Sequence, residues 1–197
     1  MGNRAHASLT AVFVDEMLKE RGCRLKDCSA VCISEGPGSY TGLRVGVSTA
    51  KGLCFGAGIP LLSVGTPEVL AAQALQTGKK FKYIVPMIDA RRMEVYTAVF
   101  DGEGVRLGET QAKIIDGDSF SEILGQGPVL FIGDGAEKCA GTITHPDAHF
   151  LQTCPKAQYM AGPAGREFKE KRFKDVAYLE PFYLKDFVAT VSRKKLF

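Results

Sequence analysis

The sequence predicts a mixed α/β protein made of two related halves, and its hydrophobic pattern indicates this in two ways. In the first 80 residues, short apolar runs typical of buried strands alternate with segments whose apolar residues recur at helical spacing. After a polar, basic stretch at residues 76–82, the pattern changes to several strands in succession. The 197 residues suffice for one large domain or two small ones. We therefore expect subdomains at residues 1–80 and 81–197.

The first half reads as helix, strand, helix, strand and helix. Gly22 stands where a C-terminal cap of the first helix belongs, and Thr66 and Pro67 are typical of an N-cap and a first helical turn. The predicted elements are helix 9–18, strand 30–34, helix 41–55, strand 59–64 and helix 66–75.

The second half opens with three strands that only short turns separate, which predicts an antiparallel meander. The predicted elements are strands 83–88, 94–100 and 105–115, helix 119–124, strand 129–132 and helix 157–171. Three strands followed by alternating helices and strands resemble the repeating unit of the actin, sugar-kinase and Hsp70 architecture. The second half shows most of that unit and the first half only its later part, so the expected fold is of the actin-like ATPase type.

Composition excludes several classes of protein. The apolar and charged fractions, 45% and 24%, are ordinary for a globular chain, and a formal charge of +3 is too small to indicate a nucleic-acid binder by itself. No run approaches the roughly 20 apolar residues of a membrane span, and no apolar signal segment stands near the start. We expect a cytoplasmic protein without membrane contact.

No group of residues predicts catalysis or a metal site. His145 and His149 are four residues apart, but Pro146 disfavours the regular helix that would bring them to one ion, and His6 stands alone. There is no Gly-x-Ser-x-Gly elbow of a serine hydrolase. The six cysteines include no C-x-x-C pair, so we expect them to be reduced packing residues.

The glycine-rich segment after the first predicted strand is a candidate anion site. A strand that turns into a helix presents unpaired N–H groups at the positive end of the helix dipole. The spacing is neither that of a Walker loop nor that of a dinucleotide fingerprint, so a purely structural turn is the favoured alternative. The candidate residues are Gly36, Pro37, Gly38, Ser39, Tyr40, Thr41, Gly42 and Arg44.

Residues 35–46, Glu-Gly-Pro-Gly-Ser-Tyr-Thr-Gly-Leu-Arg-Val-Gly, closely resemble the signature of the TsaB (YeaZ) family. These proteins are non-catalytic relatives of the TsaD transferases in the glycoprotease-like superfamily. Three further segments agree in order: Ser-Val-Gly-Thr at 63–66, Ile-Asp-Ala-Arg-Arg-Met-Glu-Val-Tyr at 88–96, and Ala-Tyr-Leu-Glu-Pro-Phe-Tyr-Leu-Lys-Asp-Phe at 177–187. The resemblance spans essentially the whole chain.

The resemblance implies a role in making threonylcarbamoyladenosine, the modified base beside the anticodon of tRNAs that read codons beginning with A. TsaD would transfer the threonylcarbamoyl group, with this chain as its required partner in a heterodimer. TsaE would join a larger complex, and tRNA would be reached through that complex. The chain would hold no cofactor of its own, although ATP or ADP can bind in the complex. An independent ATP-hydrolysing enzyme of the actin-like superfamily and a self-associating protein without TsaD remain the alternatives.

In that family the first two helices of each protein pack together. The resemblance therefore places two groups of residues at the partner surface, with a homodimer through the same face as the alternative. They are Leu9, Val12, Phe13, Glu16 and Met17 on the first helix, and Leu43, Gly46, Val47 and Ala50 on the second.

Two basic groups are candidates for contact with an anion or a tRNA backbone. Arg91 and Arg92 lie on a turn, where guanidinium groups can grip a phosphate, although ion pairs with Asp89 or Glu94 are the favoured alternative. The cations between residues 169 and 174, with those at 193–195, are a weaker candidate, for which a solvated helix end is favoured.

The sequence departs from the family pattern at its start. Family members open with a strand and a β-hairpin before the segment matched by residues 4–7, and this chain has neither. We therefore expect a two-stranded sheet in the first subdomain, a poor cover for its helices. Without the opening turn, the resemblance gives less support to nucleotide binding by this chain. Either the chain begins late, which we favour, or another chain supplies the strands.

Overall fold

The computed structural model describes residues 5–185, with side chains from residue 9 onward. The first half has the predicted order of helix, strand, helix, strand and helix. Its elements are α1 Ala5–Glu20, β1 Val31–Gly36, α2 Tyr40–Ala57, β2 Leu61–Gly65 and α3 Thr66–Leu75, with a single 3-10 turn at Leu25–Asp27.

Two helix ends test the capping predictions. Gly22 closes α1 as predicted: its φ is 64°, and the amides of Gly22 and Cys23 donate to helix carbonyls at 3.0 and 2.9 Å. The N-cap of α3 is Gly65, so the assignment of Thr66 to that position was wrong by one residue. The Thr66 hydroxyl is instead hydrogen-bonded to Ser34 Oγ at 2.9 Å, which ties α3 to the end of β1.

The second half contains one helix and one strand that the sequence pattern did not reveal. The missed elements are the helix α5, Ala136–Ala140, and the edge strand β8, Ala148–Gln152, which are each five residues long and therefore give only a weak apolar pattern. The elements are β3 Tyr83–Asp89, β4 Glu94–Thr97, β5 Phe100–Asp101, β6 Gln111–Ile114, α4 Ser121–Leu124, β7 Val129–Gly133, α5 Ala136–Ala140, β8 Ala148–Gln152, a 3-10 turn at Ala157–Met160, and α6 Ala161–Lys169.

Two of the predicted strands are shorter than expected. The run 94–100 is divided between β4 and β5, and the run 105–115 is reduced to β6. Between the two runs, Asp101 closes a tight turn, because its carboxylate Oδ1 accepts hydrogen bonds from the amides of Glu103 and Val105 at 2.9 and 2.8 Å. Beyond this turn the chain pairs through single contacts, such as the Leu107 amide donating to the Val99 carbonyl at 2.9 Å.

The larger sheet has the strand order β6-β4-β3-β7-β8, with β5 paired to β3. The β3, β4 and β6 strands are antiparallel, as the predicted meander requires, whereas β3, β7 and β8 are parallel. Alternate residues of β3 enter two separate cores. Val85 and Met87 pack with Phe131, and Ile84 packs with Leu70 of α3 on the opposite face.

The helix α3 thus packs against the larger sheet, although it follows the smaller one in the chain. Leu70, Ala71 and Ala74 are all buried in the core that Ile84 and Leu130 share. The division of the chain at residue 80 stays a prediction.

Within residues 5–185 the smaller sheet has two strands, as expected, and these strands, β1 and β2, pair in parallel. Its open side is covered by residues 173–185, which we call the C-terminal strap. The Lys174 amide donates to the Leu61 carbonyl of β2 at 2.8 Å, and the Phe182 amide donates to the Glu35 carbonyl of β1 at 2.7 Å. Val176 and Leu179 complete the small core.

Lysine 51 on α2 fastens the same strap. Its ammonium group donates to the carbonyls of Ala177 and Leu179 at 2.9 and 3.1 Å. The strap therefore joins α2, β1 and β2, the three elements of the small core, by both hydrogen bonds and apolar packing. Separately, no helix in the described part of the chain is long and apolar enough to span a membrane.

We expect Leu179→Ala to lower the free energy of unfolding by about 2 kcal/mol, because it removes apolar contact from the small core. Tyr178→Ala is the matched control in the same strap, since Tyr178 is 82% exposed and should change stability by less than about 0.5 kcal/mol. Urea denaturation of both variants measures the difference. Equal stabilities would show that the strap does not stabilise this core.

Candidate functional site

The helix α1 presents an apolar face to solvent. Leu9, Val12, Phe13 and Met17 are between 37% and 56% exposed, and Glu16 is exposed among them. These five residues, the α1 face, recur at helical spacing and so lie on one side of the helix. Large apolar side chains grouped in this way on a surface are typical of a protein interface.

The structure corrects the α2 part of the predicted partner surface. Val47 and Ala50 are each 3% exposed, because this side of α2 packs on the sheet. A Cβ placed on Gly46 would lie 3.1 Å from Ile33 Cδ1 of β1, so Gly46 also faces inward. Leu43 is half-buried, with Cδ1 lying 3.1 Å from the Cβ position of Gly36. These four residues serve the chain's own packing.

The outward side of α2 is formed by residues that the sequence analysis did not select. Ser48, Gly52 and Phe55 are exposed at helical spacing, and Phe55 is 86% exposed. A Cβ on Gly52 would meet no atom within 4 Å. The missed signal was the spacing of residues 48, 52 and 55, which are four and three residues apart and so share a side of α2 that differs from the buried side.

The turn between β1 and α2 is held from two sides. At the start of α2, Ser39 Oγ accepts a hydrogen bond from the Gly42 amide at 3.4 Å, which is the bond of an N-cap serine. On the other side, the strap carbonyl of Phe182 would lie 2.6 Å from a Cβ on Gly36, so only glycine fits there. The Tyr183 ring packs on Tyr40 with the ring centroids 5.0 Å apart.

This geometry limits the candidate anion loop. Gly36 and Pro37 are buried beneath the strap, and Gly38 is half-buried. The Arg44 guanidinium lies over the Tyr40 ring, 5.1 Å from its centroid, and donates to the Tyr40 hydroxyl at 3.0 Å. Anion binding by the exposed remainder of the loop, Ser39 to Gly42 with Arg44, stays a prediction.

The hairpin between β3 and β4 carries Arg91 and Arg92 in an unusual backbone conformation. Their φ values are 71° and 48°, in the left-handed region, which costs a non-glycine residue about 1 kcal/mol. Both side chains are exposed, and neither forms an ion pair within residues 5–185.

The favoured alternative for these arginines was wrong, because two lysines occupy the carboxylates in question. Lys138 pairs with Asp89, and Lys185 of the strap pairs with Glu94. Burial raises the pKa of Asp89, but the hydrogen bonds from Lys138 and from the Arg91 amide outweigh that effect and lower the pKa overall. The two guanidinium groups are left available to another molecule.

A cavity of about 310 Å³ lies where β1 and β2 end. Its wall is drawn from β1, β2, α3, the segment before β6, α6 and the strap. The sequence did not reveal it because its lining residues come from distant segments that meet only in the folded chain.

His145 and His149 lie in different elements of the fold. His149 lies on β8 with its ring 5.4 Å from that of Phe81, whereas His145 lies in the loop before β8 and accepts a hydrogen bond from the Asp147 amide at 3.1 Å. The described residues contain no group of three or more side chains suited to holding a metal ion. The side chain of His6 lies outside the described part.

All six cysteines are free thiols within the described part of the chain. Burial raises the pKa of Cys32 to about 12 and also raises the pKa of Cys54 and Cys139. A thiol with so high a pKa is protonated at neutral pH and is therefore a weak nucleophile. This chemistry agrees with packing roles for the three thiols.

The family model described as "TsaD: tRNA N6-adenosine threonylcarbamoyltransferase" matches residues 1–191 of this chain. The fold is also that of two solved Pseudomonas aeruginosa structures. One is described as similar to peptidase YeaZ, with a TM-score of 0.81 and 23% identity over 91% of this chain and 84% of the other. The second, described as YeaZ, has a TM-score of 0.76 and 23% identity over 91% and 85%. The chain is thus a TsaD-like protein.

Within that class the curated relatives are more specific. The chain is 30% identical to the tRNA threonylcarbamoyladenosine biosynthesis protein TsaB of Escherichia coli, over 94% of this chain and 83% of the relative. It is 33% identical to TsaB of Bacillus subtilis, over 87% and 76%. The chain belongs to the TsaB (YeaZ) family.

We expect the thiols to react in the order of their exposure. At pH 8 an alkylating reagent should modify exposed Cys23 and Cys154 at least tenfold faster than Cys32, whose raised pKa keeps the thiolate scarce. Mass spectrometry of peptides after timed alkylation measures each rate. The difference should disappear in denaturant, and equal rates in the folded protein would contradict the burial of Cys32.

Proposed function

We propose that this chain takes part in the synthesis of threonylcarbamoyladenosine in tRNA as a non-catalytic scaffold. It docks on a TsaD transferase, which moves the threonylcarbamoyl group to the adenosine beside the anticodon. The α1 face is the observation that supports docking most directly, because it exposes four large apolar side chains. The curated TsaB relatives, whose names refer to this biosynthesis, support the pathway.

The docking surface that we propose is the α1 face, continued by the outward side of α2 around Phe55. The glycine at position 52 lets a partner helix approach closely there, since nothing in this chain occupies the space beside it. A second copy of the chain would use the same surface in the absence of TsaD. In a larger complex with TsaE, tRNA is reached through the assembly.

The actin-like ATPase type of fold belongs to this proposal. The second half has the order of three strands followed by helix, strand, helix, strand and helix once α5 and β8 are included and β5 is counted with β4. The first half has only the later part of that order. ATP or ADP is assigned to the assembled complex, and no cofactor is assigned to this chain by itself.

A reconstitution tests the scaffold role directly. TsaD from the same cell, TsaE, the threonylcarbamoyl-adenylate synthase, ATP, threonine, bicarbonate and unmodified tRNA are combined with or without this chain. Mass spectrometry of the digested nucleosides should show the modified adenosine only when the chain is present. Equal amounts without it would overturn the scaffold role, and ATP turnover by the chain alone would favour an independent enzyme.

The variant Phe13→Glu should weaken binding to TsaD at least tenfold, because it places a charge in the apolar centre of the interface. Ala11→Glu introduces the same charge on the opposite, exposed side of α1 and should bind normally. Analytical ultracentrifugation with and without TsaD gives both the affinity and the homodimer fraction. Normal binding by the Phe13 variant would show that TsaD does not dock on α1.

We also propose that Arg91 and Arg92 contact the tRNA backbone in the assembled complex. Replacing both with glutamine should weaken tRNA binding and lower the salt dependence of log K by about 2, one for each phosphate contact. Lys156→Gln removes an exposed cation elsewhere and serves as the control. Fluorescence anisotropy over a range of salt concentrations measures both effects, and an unchanged slope would exclude this contact.

A further inference from the structure

The cavity of about 310 Å³ lies outside the proposed docking surface and has no part in the function proposed above. Glu35 and Ser63 line it at the carboxyl ends of β1 and β2. Ligands of α/β proteins commonly bind just beyond the carboxyl ends of parallel strands. The volume is near the lower limit of small-molecule pockets, which range from about 300 to 1,000 Å³.

Three of the six charged side chains that line the cavity are paired within the chain, namely Glu68, Arg106 and Glu167. Arg106 pairs with Glu68, and its Nη1 donates to Gly108 O at 3.2 Å and to Thr110 Oγ1 at 3.0 Å. Glu167 accepts two hydrogen bonds from Arg172, at 2.8 and 2.6 Å. These ion pairs neutralise Arg106 and Glu167 within the chain, so neither charge is available to a ligand.

Two cations on the wall remain without a partner. Arg166 and Lys174 line the cavity, yet neither side chain forms an ion pair or a hydrogen bond with any residue in the described range. Both are close enough to Glu167 to help the Arg172 hydrogen bond lower the pKa of that carboxyl. The two cations therefore stand near the same carboxylate.

A further carboxylate lines the cavity. Glu35 lines the cavity and accepts a hydrogen bond from Ser63 Oγ through Oε2, whereas Oε1 has no hydrogen bond from a described residue. A ligand that places an anionic group at Arg166 and Lys174 can donate a hydroxyl or amino hydrogen to Glu35. Two cations and one free carboxylate oxygen in the same lining suit a ligand that carries both an anionic group and a hydrogen-bond donor.

We propose that this cavity binds a small organic anion, in which a carboxylate or phosphate group is held by Arg166 and Lys174 and a hydroxyl or amino group reaches Glu35. The cavity favours a small molecule over an RNA backbone, because its cations line a recess of small volume and share it with the carboxylates of Glu35, Glu68 and Glu167. Arg166 is exposed and Lys174 is half-buried at this recess, whereas Lys171 of the neighbouring segment lies outside it.

Isothermal titration of the full chain with inorganic phosphate and with glycolate, at constant ionic strength, tests the proposal. At least one of these probes should bind in the millimolar range, and their comparison distinguishes a phosphate from a carboxylate. The double variant Arg166→Gln with Lys174→Gln should bind at least tenfold more weakly. Lys171→Gln removes a neighbouring exposed charge and should bind as the unchanged chain does.

The folding of each variant is checked by its thermal transition without ligand, and the Arg166→Gln single variant repeats the titration if the double variant unfolds. No binding of either probe at tens of millimolar, or equal weakening by Lys171→Gln, overturns the proposal. A parallel titration with a single-stranded RNA completes the test. RNA binding that depends on Arg166 and Lys174, when neither probe binds, would assign these cations to nucleic acid instead.

Discussion

The packing of the C-terminal strap on the smaller sheet is the contact on which the rest of this structure depends. Two parallel strands bury little surface by themselves, and a sheet of that size is not stable without further cover. Val176 and Leu179 supply the missing apolar contact from more than 100 residues away in the chain. The same strap closes over Gly36, so it fixes the β1 to α2 turn as well as covering the smaller sheet.

The strap also explains why α1 and α2 differ in what they offer to a partner. The inward side of α2 is occupied by the small core, which takes Val47 and Ala50 away from the surface. The helix α1 packs on α2 and leaves its apolar face open. A helix with exposed phenylalanine and methionine gains stability when a partner covers it. The partner surface that we propose is therefore mostly that of α1, with Phe55 as its extension on α2.

Some charged side chains form ion pairs within the chain, and others remain unpaired among the described residues. Lys138 and Lys185 neutralise the carboxylates beside the β3 to β4 hairpin, and Arg172 neutralises Glu167 beside the cavity. These pairs leave Arg91 and Arg92 available on one surface, and Arg166 and Lys174 available in the cavity. An anionic ligand gains the most binding free energy from guanidinium and ammonium groups that no carboxylate of the chain already neutralises.

The sequence by itself determined the order of most elements, the meander and the family. Each of these rests on local patterns, namely apolar periodicity, helix caps and the signature at residues 35–46. Only the tertiary structure decided which side of α2 faces outward, which cations remain unpaired and how residues 173–185 cover β1 and β2. It also revealed α5 and β8, which are too short to be recognised from the sequence. The pairing of β8 with β7 is what defines it as a strand. Contacts between distant segments decide all of these features, and no local pattern records them.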